Sequence, residues 1–119
     1  MVKSFVPERG DVVDINFDPQ EGREQSGRRP ALVLSPASYN GLVGLAIFCP
    51  LTRQKKGYIF EVEVPAGEAV TGVILADQVK SLDWRKRNAK KRTVLPDEVV
   101  DDVLAKVAVL LNPTSDPEA

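Results

Sequence analysis

Residues 22–35 read GREQSGRRPALVLS, and the two halves of this stretch obey different rules. Gly22 and Gly27 frame Arg23, Glu24, Gln25 and Ser26, a charged segment with permissive backbone at either end. Arg28, Arg29 and Pro30 then lead straight into residues 31–35, a strand with almost no polar side chain to turn to water. Such a strand is expected to be buried on both faces. A charged, glycine-bounded loop feeding a rigid strand is how a scaffold holds reactive groups at its mouth. An arginine beside a proline at the start of a strand has its backbone fixed, so only its side chain is left to aim. The planar guanidinium suits a phosphate bidentately and keeps its charge at any physiological pH. Glu24 could take a proton or only pair with an arginine, and an exposed loop whose ion pairs contribute little is the plain alternative.

Working outward, residues 11–17 alternate Val13, Ile15 and Phe17 with Asp14 and Asn16, the period of a strand. Asp18-Pro19 ends it, because proline lacks a donor and restricts its predecessor. Residues 19–29 form a long connection, a length usually reserved for function or disorder. Downstream, residues 37–40 suggest one helical turn. Residues 45–52 form a third strand in which Pro50 predicts an edge or a bulge. Residues 59–64 and 73–76 give two more strands, and residues 78–82 continue extended. Residues 83–91 read as a basic loop, and residues 93–95 as a short strand. Pro96 then opens a helix, with Asp97 and Glu98 at its positive end and an apolar stripe from Val99 to Leu111. Five or six short strands and one closing helix predict a mainly β fold, a small curled antiparallel barrel capped by a C-terminal helix. Residues 1–112 are expected to form one domain and residues 113–119 a disordered tail.

Composition narrows the chemistry. The 119 residues contain no histidine and one cysteine, Cys49. Histidine-based nucleophile systems, the usual general base of metal-free ribonucleases, and histidine or thiolate zinc sites are thereby removed. Any reaction must use carboxylates, arginines, lysines and hydroxyls, and no metal or cofactor is expected. The lone cysteine fits a reducing compartment, and no apolar run reaches the ~20 residues of a membrane span. A cytoplasmic protein is expected. The net charge of −1 is unevenly spread. Residues 80–92 are strongly basic, whereas the segment from Asp97 onward is acidic, so a basic face suited to a polyanion is hidden in a near-neutral total.

Further groups stand out. Thr52 and Arg53 close the third strand, where a hydroxyl and a charge could meet a phosphate, although threonine is simply a good strand residue. Asp77, Gln78 and Lys80 could read base edges or brace a loop. Trp84 among basic residues suggests a stacking platform or, preferred slightly, an aromatic anchor at a dimer interface. Cys49 reads as an inert core thiol.

Taken together, Gly10-Asp11, Asp18-Pro19, Gly22, Glu24-Gln25, Gly27, Arg29-Pro30, Thr52, Lys56-Gly57-Tyr58 and Asp77-Gln78-Val79-Lys80-Ser81 with Trp84-Arg85 resemble the MazF/PemK toxin family. The likeness runs from about Val6 to Leu111. It implies an SH3-like curled barrel acting as a homodimer, and a toxin of a type II toxin–antitoxin system. The implied activity is a metal-independent, sequence-specific endoribonuclease acting on single-stranded RNA, chiefly messenger RNA. A cognate antitoxin would lay an acidic segment across the RNA site. By that resemblance Arg29 is the main catalytic residue, Thr52 bonds the same phosphate, and Glu24 is the general base or positions Arg29. Gln25, Arg28, Arg53, Lys56, Asp77, Gln78, Lys80 and Arg87 are the expected RNA-binding set. Attack by the substrate's own 2′-hydroxyl would leave a 2′,3′-cyclic phosphate and a 5′-hydroxyl, so DNA could not be cut. Two other readings share the scaffold: a gyrase-poisoning toxin working through its C-terminal helix, and a non-catalytic SH3-like binding module.

Overall fold

The computed structural model of the chain describes residues 5–18 and 27–112. The elements run β1 (Asp11–Asn16), β2 (Arg28–Val33), α1 (Ala37–Val43), β3 (Leu45–Thr52), β4 (Glu61–Glu63), β5 (Val73–Leu75), a 3-10 turn (Ala76–Gln78), β6 (Lys80–Asp83), β7 (Lys90–Val94) and α2 (Asp97–Leu111). The strands lie in the order β4-β5-β3-β2-β1-β7, and β6 also pairs with β3. All pairings are antiparallel. The result is a curled sheet with a C-terminal helix, as the pattern predicts, curled but not closed into a barrel.

Alternation along the strands sorts the apolar residues into two cores. Val12, Leu32, Leu34, Cys49 and Leu51 face one way and pack with Val99, Val100, Val103 and Val107 of α2. Val13, Ile15, Ala31, Val33 and Phe48 face the other way and pack with Leu82 and Trp84. Residues 31–35 are therefore buried on both faces, as expected. The first core exists because α2 keeps its valines on one stripe, while Leu110 and Leu111 at its end stay exposed.

Several expectations are corrected. The β2 ladder starts at Arg28, because Arg28 and Arg29 pair with Asn16 and Ile15 of β1. Pro50 lies in the central strand, buried, and not at an edge. The Leu34 N–H donates to the Ile47 carbonyl, so odd-numbered residues of β3 turn their backbone groups to β2. Pro50 turns its missing donor the other way, into the gap between Phe48, the last β3 residue paired with β6, and Leu51, the first paired with β5. Helix α1 runs to Val43 and ends on Gly44 at φ 81°, whose N–H donates to the Asn40 carbonyl. The fourth strand shrinks to Glu61–Glu63 because the Glu61 N–H closes a turn on the Tyr58 carbonyl. The basic loop ends sooner than expected, since Lys90 and Lys91 pair with the open edge of β1. Lysines on an exposed edge strand deter pairing with another chain.

Trp84 is neither a stacking platform nor a surface anchor. It is 4% exposed, and its Nε1–H donates to the Asn40 carbonyl at 3.1 Å. The Arg85 guanidinium covers the ring at 4.7 Å. Cys49 is fully buried, as expected, and burial pushes its thiol from 9.0 up to about 12, with the Asp77 carboxylate adding to the shift. No helix among the described residues is long and apolar enough to cross a membrane.

Candidate active site

The pairing of β2 with β3 stops at Ala31 opposite Pro50. Two residues farther along each strand come Arg29 and Thr52, which flank the opening where the strands part. Both line a cleft of ≈ 670 Å³, together with Arg28, Arg53, Thr71 and Arg92. Its described lining carries these arginines and no carboxylate. Low-dielectric walls around charges of one sign focus the field on an incoming anion.

Arg29 is half-buried in the β1–β2 ladder, so its backbone is held while its side chain meets the cleft. Thr52 is 7% exposed, and its Oγ1 accepts the Gln54 N–H at 3.2 Å. Accepting that bond fixes the oxygen and leaves the hydroxyl hydrogen to donate. The Thr52 carbonyl is set by Gly72, whose φ is +111°. A Cβ there would stand 2.2 Å from that oxygen. Only glycine lets β5 come this close, a requirement no local pattern announces.

The connection that carries Glu24 and Gln25 lies outside the described residues, as does the tail at residues 113–119. Its neck is closed firmly. The Phe17 N–H donates to the Gly27 carbonyl at 2.9 Å, and the Gly27 N–H to Asp18 Oδ1 at 2.8 Å. Arg87 Nη1 donates to the carbonyls of Asn16 at 3.1 Å and Asp18 at 2.9 Å. Arg87 is thus engaged beneath the neck and is not among the cleft-lining residues. Arg28 lines the cleft and ties it to the β6–β7 turn, donating from Nη2 to the Asn88 carbonyl at 2.7 Å.

Lys56, Asp77, Gln78 and Lys80 are not in the described lining of the cleft either. Lys56 and Asp77 belong to a second surface joined through Tyr58, whose hydroxyl donates to Asp77 Oδ1 at 3.2 Å. Glu61 gathers the same turn by accepting the N–H groups of Lys56 and Gly57. Burial, then the neighbouring Asp77 carboxylate, raises the Tyr58 phenol above its ordinary value. Gln78 and Lys80 follow on the 3-10 turn and β6, both half-buried.

Arg92 is a charged cleft residue that sequence reasoning did not single out. Val12 and Val13 of β1 face Thr93 and Lys91, so Arg92 is the extra residue of a β-bulge. Bulges re-aim a side chain, and here Arg92 reaches the cleft while its Nη1 meets Asp14 Oδ1 at 3.2 Å. In the sequence it is one cation in a basic run, and only the register shift sets it apart.

Comparison with known proteins settles the family. Residues 8–111 match the model described as the PemK-like, MazF-like toxin of type II toxin–antitoxin systems. The chain belongs to the PemK/MazF toxin family. It is 51% identical over 112 residues to the endoribonuclease toxin MazF of Escherichia coli K12, covering 93% of this chain and 99% of that one. Crystalline MazF from Deinococcus radiodurans superposes with a TM-score of 0.88 at 53% identity, covering 91% of this chain and 98% of that one. A MazE–MazF structure from the same organism gives a TM-score of 0.84 at 51% identity, over 93% and 100% of the two chains. The curled sheet and its C-terminal helix are therefore shared with solved MazF chains.

Proposed function

We propose that the protein is the endoribonuclease toxin of a type II toxin–antitoxin system and cuts single-stranded RNA in the Arg29–Thr52 cleft, arresting translation and growth. The observation that carries the reading is the placement of Arg29 and Thr52 on either side of one arginine-lined opening. The family of named endoribonucleases supports it.

The substrate supplies its own nucleophile, the 2′-hydroxyl, so the protein must position the strand, accept one proton and neutralise charge on the phosphate. The 2′-oxygen bonds to phosphorus, the P–O5′ bond breaks, and the products are a 2′,3′-cyclic phosphate and a 5′-hydroxyl. Arg29 stabilises the negative charge on the phosphate oxygens, and the Thr52 hydroxyl donates to the same group. Glu24 takes the nucleophile's proton or positions Arg29. Arg28 and Arg53 hold flanking phosphates beside Gln25. Lys56, Asp77, Gln78 and Lys80 contact bases or phosphates where the strand leaves the cleft. Arg87 serves RNA binding by anchoring the neck of the Glu24 segment. No metal or cofactor takes part.

The partners follow from the same reading. An acidic segment of a cognate antitoxin fits an electropositive cleft, and the MazE–MazF structure supports such a pairing. A homodimer would cover the apolar groove of ≈ 430 Å³ that holds Leu104, Val107 and Leu111 of α2 with Tyr39 and Ile47. Residues 1–112 act as one unit in the cytoplasm.

The test is incubation of the purified protein with EDTA on one long RNA and on its DNA copy, with cuts mapped by primer extension and end-group analysis. Discrete RNA cuts bearing cyclic phosphate, with intact DNA, are expected. Intact RNA from a folded protein would overturn the proposal and favour a binding or gyrase-directed role for the α2 surface.

A further inference from the structure

We infer that Arg92 is a further RNA-binding residue of the cleft, holding a phosphate next to the one that is cut. The inference rests on the ribonuclease reading of that cleft. Arg92 shares the cleft with Arg29 and Thr52 although it comes from β7, on the far side of β1 from β2. It gets there through the bulge opposite Val12 and Val13, which breaks the regular alternation of the edge strand at that one residue. A regular ladder would have satisfied one more pair of backbone groups, so the bulge costs stability and leaves Arg92 turned to the cleft.

Its ion pair does not explain the arrangement by stability. The Arg92 and Asp14 side chains are 42% and 35% exposed, and pairs this open to water contribute little. The contact instead limits where the guanidinium can swing. One nitrogen, Nη1, meets Asp14 Oδ1 at 3.2 Å. A guanidinium carries five donors, so the remaining edge can still take a phosphate oxygen. Asp14 is itself set by the ladder, opposite Pro30 of β2 and therefore next to Arg29. The tether thus refers the position of Arg92 to the strand that carries Arg29. An extended single strand bound at Arg29 would pass Arg92 with an adjoining phosphate.

The experiment compares Arg92→Gln, Asp14→Asn and the control Lys106→Gln, which lies on α2, outside both the basic segment and the described cleft lining. Steady-state cleavage of RNA gives KM and kcat. Salt-dependent binding of an uncleavable 2′-O-methyl oligoribonucleotide gives the number of phosphate contacts without requiring any cut. For Arg92→Gln, KM rises about fivefold, the order expected of one partly exposed charge-assisted contact. The slope of log K against log salt becomes shallower by about 0.7, one contact on a single strand. At saturation kcat, and the melting temperature, stay near the parent's. Asp14→Asn raises KM while keeping the slope, because the charge remains but is no longer aimed. Lys106→Gln changes neither.

An unchanged KM and slope in Arg92→Gln, with the parent protein cutting RNA, would overturn the role of Arg92 and leave the ribonuclease reading standing. A parent protein that binds the oligonucleotide without cutting RNA would overturn the ribonuclease reading, while the slope still decides Arg92. Equal losses of melting temperature in Arg92→Gln and Asp14→Asn, with no change in slope, would reduce the pair to a structural contact and refute the inference.

Discussion

The contact of Gly72 with Thr52 gives the most direct test of how the fold holds the cleft. In Gly72→Ala the new Cβ would lie 2.2 Å from the Thr52 carbonyl oxygen, 2.9 Å from its carbonyl carbon and 3.2 Å from Arg53 Cα. Carbon–oxygen contacts normally settle at about 3.3 Å or more, so β5 and the end of β3 must part by roughly 1 Å. The obstacle is backbone and cannot swing aside as a side chain would. Two costs add. A side chain at φ +111° is strained by about 1–3 kcal/mol. Forcing atoms into a filled site costs about 1–3 kcal/mol more. Gly67 separates them, since its φ is +94° and nothing stands within 4 Å of a Cβ there. Gly67→Ala carries the strain alone. Urea unfolding of both variants should place Gly72→Ala about 2 kcal/mol below Gly67→Ala, the difference being the clash. Cleavage by the folded fraction of Gly72→Ala should fall by about 10²-fold, because the threonine is displaced by roughly 1 Å. Gly67→Ala should cut normally. Equal stability of the two variants, or full activity in Gly72→Ala, would refute the idea that close approach at Gly72 sets Thr52.

Other outcomes follow from the same geometry. Arg29→Ala should fold normally and lose about 10²-fold or more in kcat, as when one donor to a developing oxyanion is removed; undiminished cleavage in a single-turnover assay would take Arg29 out of the mechanism. Arg87→Gln should lower cleavage and shift melting while leaving the salt slope of binding intact, because its guanidinium holds the carbonyls of Asn16 and Asp18; a shallower slope would make it a phosphate contact instead. The Cys49 thiol moves from 9.0 when exposed to about 12 when folded, so the folded state keeps its proton longer. Its contribution to stability is whole below the lower value and is lost as pH rises toward the higher one. Stability measured at about pH 8 and about pH 10 should fall more in the parent than in Cys49→Ala, and identical falls would show that the thiol is not held in the apolar core.

Much of the fold was legible because its causes are local. Alternation in residues 11–17, the unbroken apolar run at residues 31–34 and the valine stripe after Pro96 each follow from which faces of a strand or helix must leave water. Arg29 beside Pro30 was legible for a similar reason, since the proline and the ladder act on the residue next door. The failures concern groups whose meaning depends on a distant partner. Trp84 sits among cations in sequence, yet its ring and N–H are spent inside the second core, against Asn40. Pro50 breaks a strand rule in sequence, yet the change of partner from β6 to β5 leaves a place for it.

The residue patterns by themselves determined a curled antiparallel sheet, a strand at residues 31–35 buried on both faces, a closing helix, and a composition without histidine. Tertiary structure alone decided that Thr52 faces Arg29 where two strands part, that Gly72 admits it, and that a bulge turns Arg92 toward the same opening. Periodicity records which side of an element meets water, whereas a cleft is made by the register between elements, and register is set by packing contacts between residues far apart in the chain.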